Sequence, residues 1–425
     1  MKRLFILFFF LFNTYPFFGQ QLVERIESVL NSLPQGTMYG ILIINPLSTD
    51  TIYARNISQS LIPASNTKLF TSAVALKLLG INYEVSTKLF TDSDTIRNGI
   101  INGNLYLKGY GNPAFSEKDI DNIVEKLKKL NVYKITGKIV GDDSFFDTNY
   151  KREDSIEDEK SSVKLPPISA IIYNRNQIVK QRKYKRRIRN YSTFIANPPL
   201  FVAELLRKKL TENGIQVEGG FETGITPNRV IELASASIKL TDMINIINKN
   251  SNNFYAECLF KIIGAASSGV EGSAFSASQA IHRFLKENDI YSVGTNVVDG
   301  SGISRFNKMS VASIVSLLEK FYLDMKYYDV YYNSLSIAGV DGTLGSRMNH
   351  GSAEFNFRGK TGTLNGASSV SGYLKTVSGD DLIISMIFEF NRRGSDYFRG
   401  IQDKIIEAVT GYDPVTTSGN SIGWE

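Results

Sequence analysis

Three short segments of the chain carry side chains suited to nucleophilic chemistry: "SNTK" at Ser65–Lys68, "SNN" at Ser251–Asn253 and "KTGT" at Lys360–Thr363. A serine hydroxyl is a weak nucleophile until a base takes its proton. Lys68, three residues after Ser65, lies on the same face if the segment is helical. It can act as that base when desolvation and nearby positive charge leave it partly neutral. Lys360 and the helix N-terminus would supply that field, and the free N–H groups at a helix start also favour an oxyanion. Ser251 is the candidate relay between Lys68 and a leaving nitrogen. Asn253 can accept from the Lys68 ammonium with its carbonyl and offer its amide to a substrate. The threonines flanking Gly362 suit a strand edge approached closely by substrate backbone. Taken singly, these segments also fit plainer roles: a helix cap at Ser65 with a solvated Lys68, an N-cap cluster at Ser251–Asn253, and an ordinary turn at Lys360–Thr363.

These side chains need elements to hold them. "PASNTKLFTSAVALKLLG" reads as a helix entered at Pro63 and ended at Gly80, with Leu69, Ala73 and Leu76 as its buried stripe. "QLVERIESVLNSL" before it and "SDYFRGIQDKIIEAVTG" near the C-terminus have apolar residues at helical spacing. "TMYGILIINPLSTDTIYARN" and "SSVSGYLKTVSGDDLIISMIFEF" each read as two strands joined by a turn. From Glu84 the character changes to short strand-like pieces with glycine turns, interrupted by helical "DIDNIVEKLKKL" and "PPLFVAELLRKKL". Helices return at "KLTDMINIINKNSNNFYAECLFKIIG" and "SASQAIHRFLKEN". The expected fold is α/β (α+β): an antiparallel sheet flanked by helices, with a helical subdomain. Residues 20–84 and 236–425 would form this unit, and 85–235 an inserted α+β region.

Composition narrows the classes. With 425 residues, 42% hydrophobic and 21% charged, the chain is globular and long enough for more than one domain. A formal charge of +6 is modest at this size and does not point to nucleic acid. His282, His350 and Cys258 are too few for a His/Cys metal site, and one cysteine makes no internal disulfide. "MKRLFILFFFLFNTYPFFGQ" has Lys2 and Arg3, nine apolar residues from Leu4 to Phe12, then Pro16 and Gly19. That is a secretory leader, residues 1–19, too short to span a bilayer comfortably. Export to the periplasm or cell exterior is expected, with retention as an N-terminal anchor the alternative because Phe17 departs from a clean cleavage site.

In this order the three segments resemble the penicillin-recognising serine hydrolases. Within them the chain resembles the D-alanyl-D-alanine carboxypeptidase/endopeptidase family (low-molecular-mass class C penicillin-binding proteins, peptidase S13 type), which has a large insert between the first and second motifs. "GNLYLKGYGNPAF", "GDDSFFD", "PPISAIIYNRN", "ANPPLFVAELL", "VVDGSGISRFN" and "AGVDGTLGSRM" also match that family's wording in its order. The resemblance implies an acyl-enzyme on Ser65, formed from peptidoglycan stem peptides and, covalently, from β-lactams, with no cofactor. It assigns the terminal carboxylate of the substrate to Lys360, Thr361 and Thr363, and the oxyanion hole to the N–H groups of Ser65 and Thr363. Further pocket residues would be Arg305, Asn365 and Asp158, the last also fitting a solvated charge in "REDSIEDEK". Where the family often carries an aromatic residue before Pro166-Pro167, this chain has Val163. The basic stretch Lys180 to Arg189 stands about where members place a third small domain. It fits a trimmed, solvated hairpin or a contact for anionic membrane or cell-wall polymer. Two rivals share the fold. A serine β-lactamase would carry a tyrosine in the second motif and lack the insert, and a non-catalytic wall-binding protein would not require all three motifs intact.

Overall fold

The interior strand β1 (Met38–Ile44) shows how the sheet is built. Ile41 and Ile43 point to one face, Leu42 and Ile44 to the other, and all four are buried. A strand apolar on both faces must be covered on both. The computed structural model, which describes residues 15–151, 164–184 and 187–412, places β1 in a six-stranded, wholly antiparallel sheet. Its order is β14 (Ser336–Ile337), β15 (Phe357–Leu364), β16 (Ala367–Lys375), β17 (Asp381–Glu389), β1 and β2 (Thr51–Arg55). On one face lie the terminal helices α1 (Tyr15–Leu30) and α10 (Ser395–Thr410), whose Leu22, Ile26, Phe398 and Ile405 pack on Ile41, Ile43, Ile384 and Met386. The other face carries α2 (Thr67–Leu79) and α8 (Val311–Tyr322), with Leu69, Phe70, Ile314 and Leu318 against Leu42, Ile383 and Ile387.

Around α2 cluster α5 (Leu240–Lys249), α6 (Asn253–Ser268) and α7 (Ala274–Glu287), the helical subdomain. The α2 helix differs from the amphipathic stripe expected of it. Every residue from Thr67 to Leu76 is buried, because neighbours enclose it on all sides.

Between α2 and α5 the chain builds a second core. Strand β3 (Glu84–Thr91) leaves and β13 (Ile231–Lys239) returns as antiparallel partners, Glu84 opposite Lys239. They belong to a five-stranded sheet with β6 (Leu105–Gly109), β8 (Ile139–Asp142) and β12 (Phe221–Thr223). A four-stranded sheet of two-residue strands and the helices α3 (Glu117–Lys129) and α4 (Pro198–Glu212) complete this region. The described residues of the basic stretch, 180–184 and 187–189, fall in a separate two-stranded antiparallel sheet, Gln177–Tyr184 with Arg187–Phe194. The leader lies outside the described residues except for 15–19, which open α1. Among the described residues no helix is long and apolar enough to cross a membrane.

Candidate active site

The serine of the first motif stands on a strained turn. Ser65 lies in a 3-10 turn, Ala64–Asn66, that feeds into α2, and Ala64 takes a left-handed φ of 47° although it is not glycine. An alanine pays for that conformation in free energy, and such residues persist where surrounding structure over-determines them. The constraints are visible. Ser369 Oγ donates to the Pro63 carbonyl at 2.6 Å, Asn66 Nδ2 donates to Ser371 Oγ at 2.9 Å, and Thr67 Oγ1 donates to the Ala64 carbonyl at 2.9 Å. Gly302, with φ of 80°, presses on the turn so closely that a Cβ would fall 1.9 Å from the Ala64 carbonyl oxygen. Gly362 of β15 approaches from the sheet side, where a Cβ would meet the Pro63 carbonyl at 2.6 Å and the Ser65 nitrogen at 3.0 Å.

Lys68 is fully buried one turn on. Its Nζ donates to Ser65 Oγ at 2.8 Å, to Asn253 Oδ1 at 2.8 Å and to the Ser301 carbonyl at 2.5 Å. Burial lowers its pKa from 10.5 to about 7, opposed by the negative charges of Asp299 and Glu257. The lowering comes first from desolvation, one of the two causes expected; the positive field of Lys360, the other, is not among them. Both carboxylates also build the loop that carries the Ser301 carbonyl. Glu257 accepts the Ser301 N–H at 2.9 Å, while Asp299 accepts those of Gly302 and Ser304, each at 2.7 Å. Sequence reasoning assigned no role to Glu257, Asp299, Ser301 or Gly302. Glu257 was within reach of it, one helical turn after Asn253 on α6.

The second motif sits at the start of α6. Asn252 caps the helix, accepting the Tyr255 N–H at 3.0 Å, which fixes Asn253 beside Lys68. Ser251 has a left-handed φ of 52°, and its Oγ accepts from Lys360 Nζ at 2.9 Å. Lys360 is fully buried and also donates to the Thr361 carbonyl at 2.8 Å. Desolvation, and then the charge of Lys68, hold Lys360 well below the usual lysine range.

Strand β14 pairs only with Arg358 and Gly359 of β15, so Lys360 to Leu364 have a sheet partner on the β16 side alone. That leaves an open strand edge beside Ser65. It borders a cleft of about 780 Å³ onto which Ser65, Ser251, Asn253, Thr361 and Thr363 open, together with Thr343 and the α10 residues Asp396, Arg399 and Asp403. Thr361 Oγ1 donates to Thr343 Oγ1 at 2.8 Å, and Thr363 Oγ1 accepts from Arg399 Nη2 at 3.2 Å. Arg305 and Asn365 meet each other instead, Arg305 Nη1 donating to the Asn365 carbonyl at 2.7 Å in the turn after β15. Neither is among the residues lining the cleft. Asp158 and Val163 lie outside the described residues.

An all-antiparallel sheet with a buried lysine beside a helix-start serine, a serine–asparagine pair on a second helix and a lysine-threonine edge strand define a penicillin-recognising serine hydrolase. The solved structure of penicillin binding protein 4 (dacB) from Haemophilus influenzae superposes with a TM-score of 0.79 at 21% identity, covering 90% of this chain and 98% of that one. A predatory endopeptidase from Bdellovibrio bacteriovorus is similar at a TM-score of 0.54 and 16% identity, over 87% of this chain and 92% of that one. By sequence, the D-alanyl-D-alanine carboxypeptidase of Actinomadura sp. (strain R39) is 24% identical over 430 residues, 85% of this chain and 79% of the relative. DacB of Haemophilus influenzae is 24% identical over 415 residues, 84% and 86% of the two chains. The chain belongs to the D-Ala-D-Ala carboxypeptidase 3 (S13) family, whose model matches residues 22–187 and 182–408, and is an enzyme of the serine DD-peptidase class.

Proposed function

We propose that the chain hydrolyses the D-Ala-D-Ala amide of peptidoglycan stem peptides through an ester on Ser65, and cuts D-Ala-to-diamino-acid crosslinks with the same groups. The observation that carries this is the trio of oxygens around Lys68 Nζ. The Ser301 carbonyl and Asn253 Oδ1 are acceptors only, so a neutral amine spends its two N–H bonds on them. Its lone pair then faces Ser65 Oγ, the one partner with a proton to give. Ser65 Oγ bonds to the carbonyl carbon as its proton passes to Lys68, and the oxyanion is held by the N–H groups of Ser65 and Thr363. The C–N bond breaks as the leaving nitrogen takes the Ser251 hydroxyl proton and Ser251 takes in its place the proton that Lys68 received, while Lys360 donates to Ser251 Oγ. Water then cleaves the ester and restores Ser65, with one water consumed per amide. The acyl donor lies along the open edge of β15 as an added strand. A cleft of about 780 Å³ lies within the range of about 300–1,000 Å³ that takes a drug-sized ligand, more than one D-alanine needs, which supports the crosslink activity.

Incubation with a labelled penicillin tests the assignment. The wild type should retain a stable ester mapped to Ser65 by mass spectrometry, and Ser65→Ala should retain none. Rapid release of hydrolysed penicillin would mean a β-lactamase, and no reaction would mean a non-catalytic binding protein. The leader pattern supports export to the periplasm or cell exterior, which N-terminal sequencing of the mature protein would check. Lys180 to Arg189 fits either a solvated hairpin or a contact for anionic membrane or cell-wall polymer, and co-sedimentation with anionic vesicles and with isolated wall polymer separates the two.

A further inference from the structure

A substrate that ends in a carboxylate needs a cation where that carboxylate lies, and the lysine of the third motif is poorly placed to be it. Lys360 is fully buried, commits its Nζ to Ser251 Oγ and the Thr361 carbonyl, and does not line the cleft. Among the described residues that do line it, the cations are Arg347 and Arg399. Arg347 is committed to a half-buried carboxylate. Its Nε and Nη2 reach Asp403 Oδ1 at 3.0 and 2.6 Å, Nη2 also reaches Gln402 Oε1 at 3.2 Å, and the side chain is only 11% exposed. Arg399 differs on each count. Its Nη2 donates to a neutral hydroxyl, Thr363 Oγ1, at 3.2 Å. Its Nη1 pairs at 2.7 Å with Asp396, which is 92% exposed, so solvent screens that pair.

We infer that Arg399, from the closing helix α10, reads the terminal carboxylate of the leaving residue together with the hydroxyls of Thr361 and Thr363. This rests on the acyl-enzyme reading above. Arg399 acts in two ways. Its planar guanidinium offers the charge and fork geometry that suit a carboxylate. Its bond to Thr363 occupies a lone pair of that hydroxyl, which turns the Thr363 O–H proton outward to be donated. Specificity for a free acid is then set by a residue outside the three motifs, held beside the third by its bond to Thr363, and Asp396 competes with the substrate for it.

The test compares a stem peptide ending in D-Ala-D-Ala with the same peptide amidated at its C-terminus, following D-alanine or D-alaninamide release. Wild type should prefer the acid. Arg399→Gln should lower kcat/KM for the acid by about ten- to a hundredfold and leave the amide within about twofold. Arg399→Lys should recover part of the acid rate, and Asp396→Asn should raise it, on the acid only. Equal losses on both peptides in Arg399→Gln, at unchanged melting temperature, would overturn the assignment. Should that variant unfold, Asp396→Asn decides: an acid-selective gain supports Arg399, and no change overturns it. Failure of the underlying reading looks different, since wild type would then neither cleave the acid nor form the penicillin ester.

Discussion

The protonation of Lys68 should set the pH at which Ser65 acylates. Only the neutral amine can take the serine proton, and its pKa stands at about 7. The neutral fraction is then roughly one-half at pH 7, about one-tenth at pH 6 and about one-hundredth at pH 5. Stopped-flow acylation by a fluorescent penicillin should therefore be flat above about pH 8 and fall by about tenfold per pH unit below 7. The groups facing Lys68 fix the direction in which the limb moves on mutation. Burial lowers the pKa, while Asp299 and Glu257 raise it. Glu257→Gln keeps the shape and an acceptor for the Ser301 N–H but removes a negative charge, so the acid limb should move to lower pH. Lys360 is also buried, and its own pKa is lowered first by desolvation and then by the charge of Lys68. A flat profile from pH 5 to 9, a limb near the ordinary lysine value, or an upward move in Glu257→Gln would each refute the reasoning.

The same shift has a stability consequence whose sign can be worked through. The folded pKa of about 7 is below the ordinary value of 10.5, so the unfolded chain binds more protons between those limits. Stability due to Lys68 thus rises with pH across that window, and the cost of burying the charge is felt in full below pH 7. The interval corresponds to on the order of 5 kcal/mol. Urea unfolding at pH 7 and pH 10 should show a steeper pH dependence in wild type than in Lys68→Met, which lacks that titrating group.

Two further outcomes follow from the packing. Lys68→Arg cannot lose its proton near neutrality and should acylate several orders of magnitude more slowly. Because Lys68 is fully buried, the larger side chain should also destabilise the fold by about 1–3 kcal/mol, visible as a lower melting temperature. In Gly302→Ala a methyl would fall 1.9 Å from the Ala64 carbonyl at a φ of 80°; this should cost about 2–4 kcal/mol and slow acylation, since the strained turn under Ser65 must give way.

What could be read from the chain follows from how local each feature is. The strand pairs and closing helices are legible because burial on one or both faces imprints a period of two or 3.6 residues, as in β1 and α10. The three motifs are legible because each places its chemistry within four residues. The groups that complete the site are not local. Thr363 and Arg399 lie 36 residues apart and meet only because α10 packs on the sheet that contains β15. Gly302 takes its meaning from the Ala64 carbonyl it touches, far upstream. The electrostatics show the same limit more sharply. The sequence displays Lys360, Glu257 and Asp299 equally as charges, and sequence reasoning paired desolvation with the field of Lys360 as the causes of a low lysine pKa at position 68. Burial proves to be the first cause, with the two carboxylates opposing it. A pKa is a property of desolvation and distance, and both are decided by the tertiary packing that encloses α2. The serine, the lysine and their order name the reaction, but the depth at which α2 is buried decides whether the lysine can carry it out at neutral pH.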